Sequence, residues 1–176
     1  MSLLKFLGLH PHETRPGDTD TVRRIVGELE QMPPERARYL AAFAYVLSRV
    51  ANADLQISEP ETRMMERIIQ EIGQLPEEQA VLVVQIAKAQ NRLVGGTEDF
   101  LVTREFRQIA TPEQCRQLID CLFAVSTADD SISSAEENQI WQVATELGMA
   151  RDEFAALRLR YRDKREVLKT FREQLK

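Results

Sequence analysis

Ala53-Asp54-Leu55-Gln56-Ile57-Ser58-Glu59-Pro60-Glu61 and Ala128-Asp129-Asp130-Ser131-Ile132-Ser133-Ser134-Ala135-Glu136 are two copies of one pattern, 75 residues apart. The match extends outward on both sides. Leu47 and Val50 answer Leu122 and Val125, and Glu71-Ile72-Gly73 answers Glu146-Leu147-Gly148. Each copy therefore reads as a helix, a tight acidic turn and a second helix closed by a glycine cap. Ser-x-x-Glu ahead of an apolar run is a capping box: the Ser hydroxyl accepts from the backbone N–H three residues on, and the Glu reaches back to the Ser N–H. Two copies of one helical hairpin predict two half-domains related by a pseudo-twofold around a shared core.

Most of the remaining sequence is also helical in pattern. A cap at Asp18, Thr19 or Asp20 starts a helix that ends near Met32-Pro33. Pro34 opens the helix bearing Leu40, Phe43, Val46, Leu47 and Val50 on one side. Pro76, followed by Glu77 and Glu78, opens another. Its run Val81 to Ala87 is apolar most of the way round, the mark of a buried helix. Gly95-Gly96 breaks the pattern, and Thr97 or Thr103 starts a short helix ending at Ile109. Thr111-Pro112-Glu113 starts the next, with Thr as cap. A last helix begins near Arg151. No β-hairpin signature occurs. The expected fold is all-α: a single-domain bundle of about seven to eight helices (residues 21–176) behind a flexible leader (residues 1–20).

With 176 residues the chain is long enough for one self-sufficient core. A net charge of −5 argues against a general nucleic-acid binder, which needs a basic surface. No run approaches the ~18 apolar residues of a membrane span, and the apolar leader Leu3 to Leu9 lacks the length and cleavage site of a signal peptide. Both histidines, His10 and His12, flank Pro11 in the leader, so a His-dependent triad in the body of the fold has no base. Phosphate-binding and nucleophile-elbow motifs are missing. Cys115 and Cys121, six apart, point about 120° away from each other on a helix. They read as small buried residues, not a metal or redox pair.

The acidic turns carry the chemistry that remains. With Asp54 at the fifth position of an EF-hand-like loop, Asn52 is third, Ser58 ninth and Glu61 twelfth; the second copy supplies Thr127, Asp129, Ser133 and Glu136. The first position is Val50 or Val125 instead of Asp, and the sixth is Leu55 or Asp130 instead of Gly, which argues against a high-affinity calcium loop and leaves a weaker half-loop or a composite site shared by the two turns. Two readings stand. In one, Asp54, Glu61, Asp129 and Glu136 bind a divalent cation weakly; in the other they only satisfy turn and helix-cap N–H groups. Oxygen-only ligands select calcium, magnesium or manganese over zinc. A metal-assisted hydrolase is a distant third reading, because neither motif contains a Lys, His or Tyr to act as acid or base.

Ala-Asp-x-x-Ile-Ser-x-x-Glu, occurring twice in an acidic all-helical domain, resembles the TerB (tellurite-resistance B) family over roughly residues 35–160. The same module resembles the N-terminal region of DjlA-type membrane-anchored co-chaperones; nothing here resembles a J-domain. The resemblance implies a non-enzymatic cytoplasmic protein of tellurite and stress resistance. It also implies divalent-cation binding through Asp54, Glu61, Asp129 and Glu136, and action with protein partners, including membrane proteins of the same resistance system. The C-terminal helix has two readings: a core-packed helix whose basic side chains snorkel to water, or a docking surface for an acidic partner or, as a peripheral membrane contact, for an anionic membrane face. There Phe154, Leu157, Tyr161, Leu168, Phe171 and Leu175 form an apolar stripe, and Arg158, Arg162, Arg165, Lys169, Arg172 and Lys176 a basic one beside it.

Overall fold

Prolines at positions 16, 34 and 112 each open a helix, since a proline's fixed φ suits the first turn and its missing N–H would have no partner there. The computed structural model describes residues 16–50, 58–90, 99–127, 132 and 134–161. Helix α1 spans Pro16–Glu30, α2 Pro34–Val50, α3 Glu59–Glu71, α4 Glu77–Gln90, α5 Asp99–Ile109, α6 Pro112–Ser126 and α7 Ser134–Glu146. A further helix, α8, covers 151–161. No strand occurs among the described residues, and the all-α class expected from the sequence is the class observed.

Two helix starts differ from the expected ones. α1 begins at Pro16, ahead of the Asp18–Asp20 caps, because the proline is itself a good first helical residue. α5 begins at Asp99, neither at Thr97 nor at Thr103. Thr103 lies inside that helix and is fully buried.

The core is organised around α2. Every residue from Leu40 to Leu47 is buried, so this helix is enclosed on all sides. Its four alanines, at 37, 41, 42 and 44, are buried and allow neighbouring helices to approach closely. α2 packs most extensively on α4 and next on α5. Tyr39 and Phe43 of α2 meet Phe106 of α5 at ring-centroid distances of 5.2 and 6.1 Å. The run from Val81 to Ala87 is helical, with Leu82, Val83, Val84, Ile86 and Ala87 buried.

The repeat is visible in the packing. α3 and α7 have limits that differ by 75 residues at both ends. α2 touches α7, and α6 touches α3, the pair of contacts that a twofold exchange of the halves requires; α2 also meets α6. α8 stands to α6 and α7 as α4 stands to α2 and α3. Phe154 of α8 packs on Phe123 of α6 and on Trp141 of α7, and Tyr161 stacks on Phe123 at 5.5 Å. Phe154, Leu157 and Tyr161, the first half of the C-terminal apolar stripe, are thus core residues. Leu168, Phe171, Leu175 and the basic residues from Arg162 onward lie outside the described residues.

The glycine caps are not equivalent. Gly148 has φ +80°, and the N–H groups of Gly148 and Met149 bond the carbonyls of Thr145 and Ala144, a Schellman closure of α7. After α3 the left-handed residue is Gln74, with φ 55°, and Leu75 N–H bonds the Ile69 carbonyl. Gly73 serves a different need: a Cβ there would lie 2.6 Å from the Ile69 carbonyl oxygen and 3.2 Å from Cys121 Sγ. The glycine lets the end of α3 rest on α6. Cys115 and Cys121 are free thiols, both buried, and burial pushes both pKa values up, so they stay protonated.

Candidate cation-binding turns

The first acidic turn leaves α2 at Val50 and enters α3 at Ser58, which is extended (φ −69°, ψ 164°) as an N-cap must be. Its hydroxyl accepts from Glu61 N–H at 3.4 Å, and its own N–H donates to Glu61 Oε2 at 2.6 Å. The capping box read from the sequence is formed. Its hydrogen bonds to the Ser58 side chain and backbone hold the Glu61 carboxyl below the usual range. Thr62 donates its hydroxyl to the Ser58 carbonyl and accepts from Lys88 Nζ of α4, at 2.9 and 3.0 Å. The motif has no lysine of its own, but the fold places this ammonium beside it.

The second turn leaves α6 at Ser126 and Thr127. Thr127 closes the helix with its N–H on the Phe123 carbonyl and its hydroxyl on the carbonyls of Phe123 and Ala124. Ser126 Oγ is buried and has no hydrogen-bond partner among the described residues. Ile132 tucks against the core, and Glu136 is half-buried in the first turn of α7. Asp54 and Asp129 lie outside the described residues. Among the described residues, Glu61 and Glu136 included, no three His, Cys, Asp or Glu side chains gather as a metal site would require.

A buried charge cluster beside the root of the first turn is absent from the sequence reading. Arg49, the penultimate residue of α2, donates through Nη1 to Thr103 Oγ1 of α5 at 2.6 Å and to Glu146 Oε2 of α7 at 3.0 Å. The two charged side chains are 10% and 8% exposed. Burial raises the Glu146 pKa. Bonds with Arg49, Thr103 and Gln142 outweigh that and hold the carboxyl below its ordinary value. Arg49 is the single basic residue in the run Tyr39 to Val50, a signal the sequence did contain. A second cluster fixes α8: Tyr161 hydroxyl donates to Asp120 Oδ1 at 2.6 Å and Arg160 to Oδ2 at 3.0 Å.

The sequence model of the family described as tellurite resistance protein TerB matches residues 39–159. The chain belongs to the TerB family. The matched span runs from Tyr39 in α2 to Leu159 in α8, so in this TerB-family chain it holds both acidic turns and the whole repeat. The match bears out the TerB resemblance and leaves the likeness to DjlA-type co-chaperones as a sequence resemblance only. No curated protein and no solved structure matches the chain. Among the described residues of this TerB-family chain, no helix is long and apolar enough to cross a membrane.

Proposed function

We propose that this TerB-family chain is a non-enzymatic, tellurite-resistance-type module that binds a divalent cation weakly through its two acidic turns and acts through protein partners at the membrane face of the cytoplasm. The doubled Ala-Asp-x-x-Ile-Ser-x-x-Glu motif inside the matched family span carries the reading. Asp54 and Glu61 serve one turn, Asp129 and Glu136 the other. All four offer hard oxygen ligands, the donor set of calcium, magnesium or manganese. A ligand that binds only the folded state stabilises it by RT ln(1 + [L]/Kd), about 2.7 kcal/mol at a hundredfold excess over Kd. Thermal unfolding is therefore compared in millimolar calcium, magnesium or manganese and in chelator. The expected result is a metal-dependent rise in the midpoint that Asp54→Ala with Asp129→Ala abolishes, with helical content retained.

A purely structural reading has one specific observation in its favour: Glu61 Oε2 is occupied by the Ser58 N–H. Under that reading the midpoint does not respond to any of the three cations, and the double Asp variant behaves alike with metal and with chelator.

A further inference from the structure

We propose that Thr103, Arg49 and Glu146 form a polar latch that seats α5 on one chosen side of the pseudo-twofold. α5 is the helix that connects the two halves, α2-α3-α4 and α6-α7-α8. Because the halves repeat, the berth that α5 occupies, the junction of α2 with α7, has a pseudo-twofold mate in the junction of α6 with α3. α5 packs on α2 and α7. There its buried Thr103 hydroxyl meets the Arg49–Glu146 pair. At the mate berth, residues 75 positions away replace that pair. Arg49 becomes Ala124, and Glu146 becomes Glu71, which is exposed at the end of α3. Thr103 would find no guanidinium there.

The energetics favour selection over stabilisation as the role of this cluster. A buried ion pair gives little net stability compared with a well-packed apolar pair, because desolvation offsets most of the attraction. Leaving one partner buried alone is severely unfavourable. An arrangement that separates Arg49 from Glu146, or leaves Thr103 unpaired, is therefore penalised, while the observed one is not greatly rewarded. That is the behaviour of a device that specifies one packing among near-equivalents. It also places the root of the first acidic turn, one residue beyond Arg49, in fixed relation to the end of α7.

The test is native-state amide exchange in the full chain. In Glu146→Gln the amides of α5 and of the last turn of α7 exchange roughly tenfold or more faster, while those of α3 and α4 keep wild-type rates. Glu71→Gln, the repeat-related control, changes none of them. Thr103→Val is close in shape and leaves the ion pair in place; it gives the acceleration in α5 even if Glu146→Gln fails to fold. The double variant Arg49→Met with Glu146→Met returns the thermal midpoint to near the wild-type value but leaves α5 exchange fast. That split between stability and seating is what a merely stabilising pair would not produce. Uniform acceleration across all helices in Thr103→Val overturns the proposal. So does α5 exchange in the double Met variant as slow as in wild type.

Discussion

At the scale of single residues, the start of α3 and its end illustrate opposite kinds of constraint. Ser58 caps the helix through a side-chain bond, so Ser58→Ala costs about 1 kcal/mol, measured by chemical denaturation with and without chelator. Glu61 completes the box, and its carboxyl has a folded-state pKa below its ordinary value of 4.5. The sign follows: the ionised form is favoured by folding, so its contribution is complete above that ordinary value and lost as pH falls through the lower folded one. Glu61→Gln keeps a side chain able to reach the Ser58 N–H but cannot titrate. Its stability should fall less steeply than wild type below pH 4.5, in denaturation curves taken across the acid limb. Some acid loss persists from Glu146, which is depressed in the same direction. At the other end, Gly73→Ala drives a Cβ toward a backbone carbonyl at 2.6 Å and should destabilise the fold. Gly27, inside α1, has nothing within 4 Å of its hypothetical Cβ. Gly27→Ala should therefore stabilise by about 0.5–1 kcal/mol. If both alanine variants shift the midpoint in the same direction, crowding of a Cβ by the Ile69 carbonyl and Cys121 is not the reason for Gly73.

At the scale of elements, α8 is held by a buried aromatic face and by one carboxylate. Asp120 of α6, partly buried, accepts from both Tyr161 and Arg160. Burial and the bond to Asp120 raise the Tyr161 pKa, keeping the phenol a donor. Tyr161→Phe keeps the stack on Phe123 and removes only that donor, and should cost about 1.5 kcal/mol, the scale of a hydrogen bond to a charged group. Helix starts were legible at Pro34, Ser58 and Thr111, where a proline or a hydroxyl cap announced them, but not at Pro16, where the acidic and hydroxyl residues 18–20 looked like the cap. The start of α5 was not, because two threonines nearby looked like caps and one of them, Thr103, is a core residue bonded to Arg49. The glycine rule succeeded at Gly148 and failed at Gly73, where crowding by the Ile69 carbonyl of the same helix, and next by Cys121 of α6, sets the residue in place of a left-handed backbone. Of the candidate site, the cap geometry of Glu61 was readable because it is local. Arg49 and Glu146 are 97 residues apart, and a pairing at that separation is set by topology, which no spacing rule reaches.

At the scale of the whole molecule, the repeat determines what can fold alone. Each half is a hairpin plus a third helix, and the repeat predicts that the halves share a core. α2 shows how far that sharing goes: it is buried on every side, and the partners that cover it include α5, α6 and α7 from beyond the midpoint of the chain. A fragment ending at residue 98 keeps α1, α3 and α4 but strips α2 of those neighbours, exposing the face of Phe43 that meets Phe106 and leaving Arg49 without Glu146. Such a fragment of about half the chain cannot bury enough apolar surface to offset its conformational entropy. The second half faces the same deficit, since α6 and α7 rest on α3 and α2. Fragments 1–98 and 99–176 should therefore each lack a cooperative thermal transition, and an equimolar mixture should regain one with the circular dichroism of the intact chain. If fragment 1–98 melts cooperatively by itself, the two halves are independent domains and the shared core is not what holds the acidic turns in place.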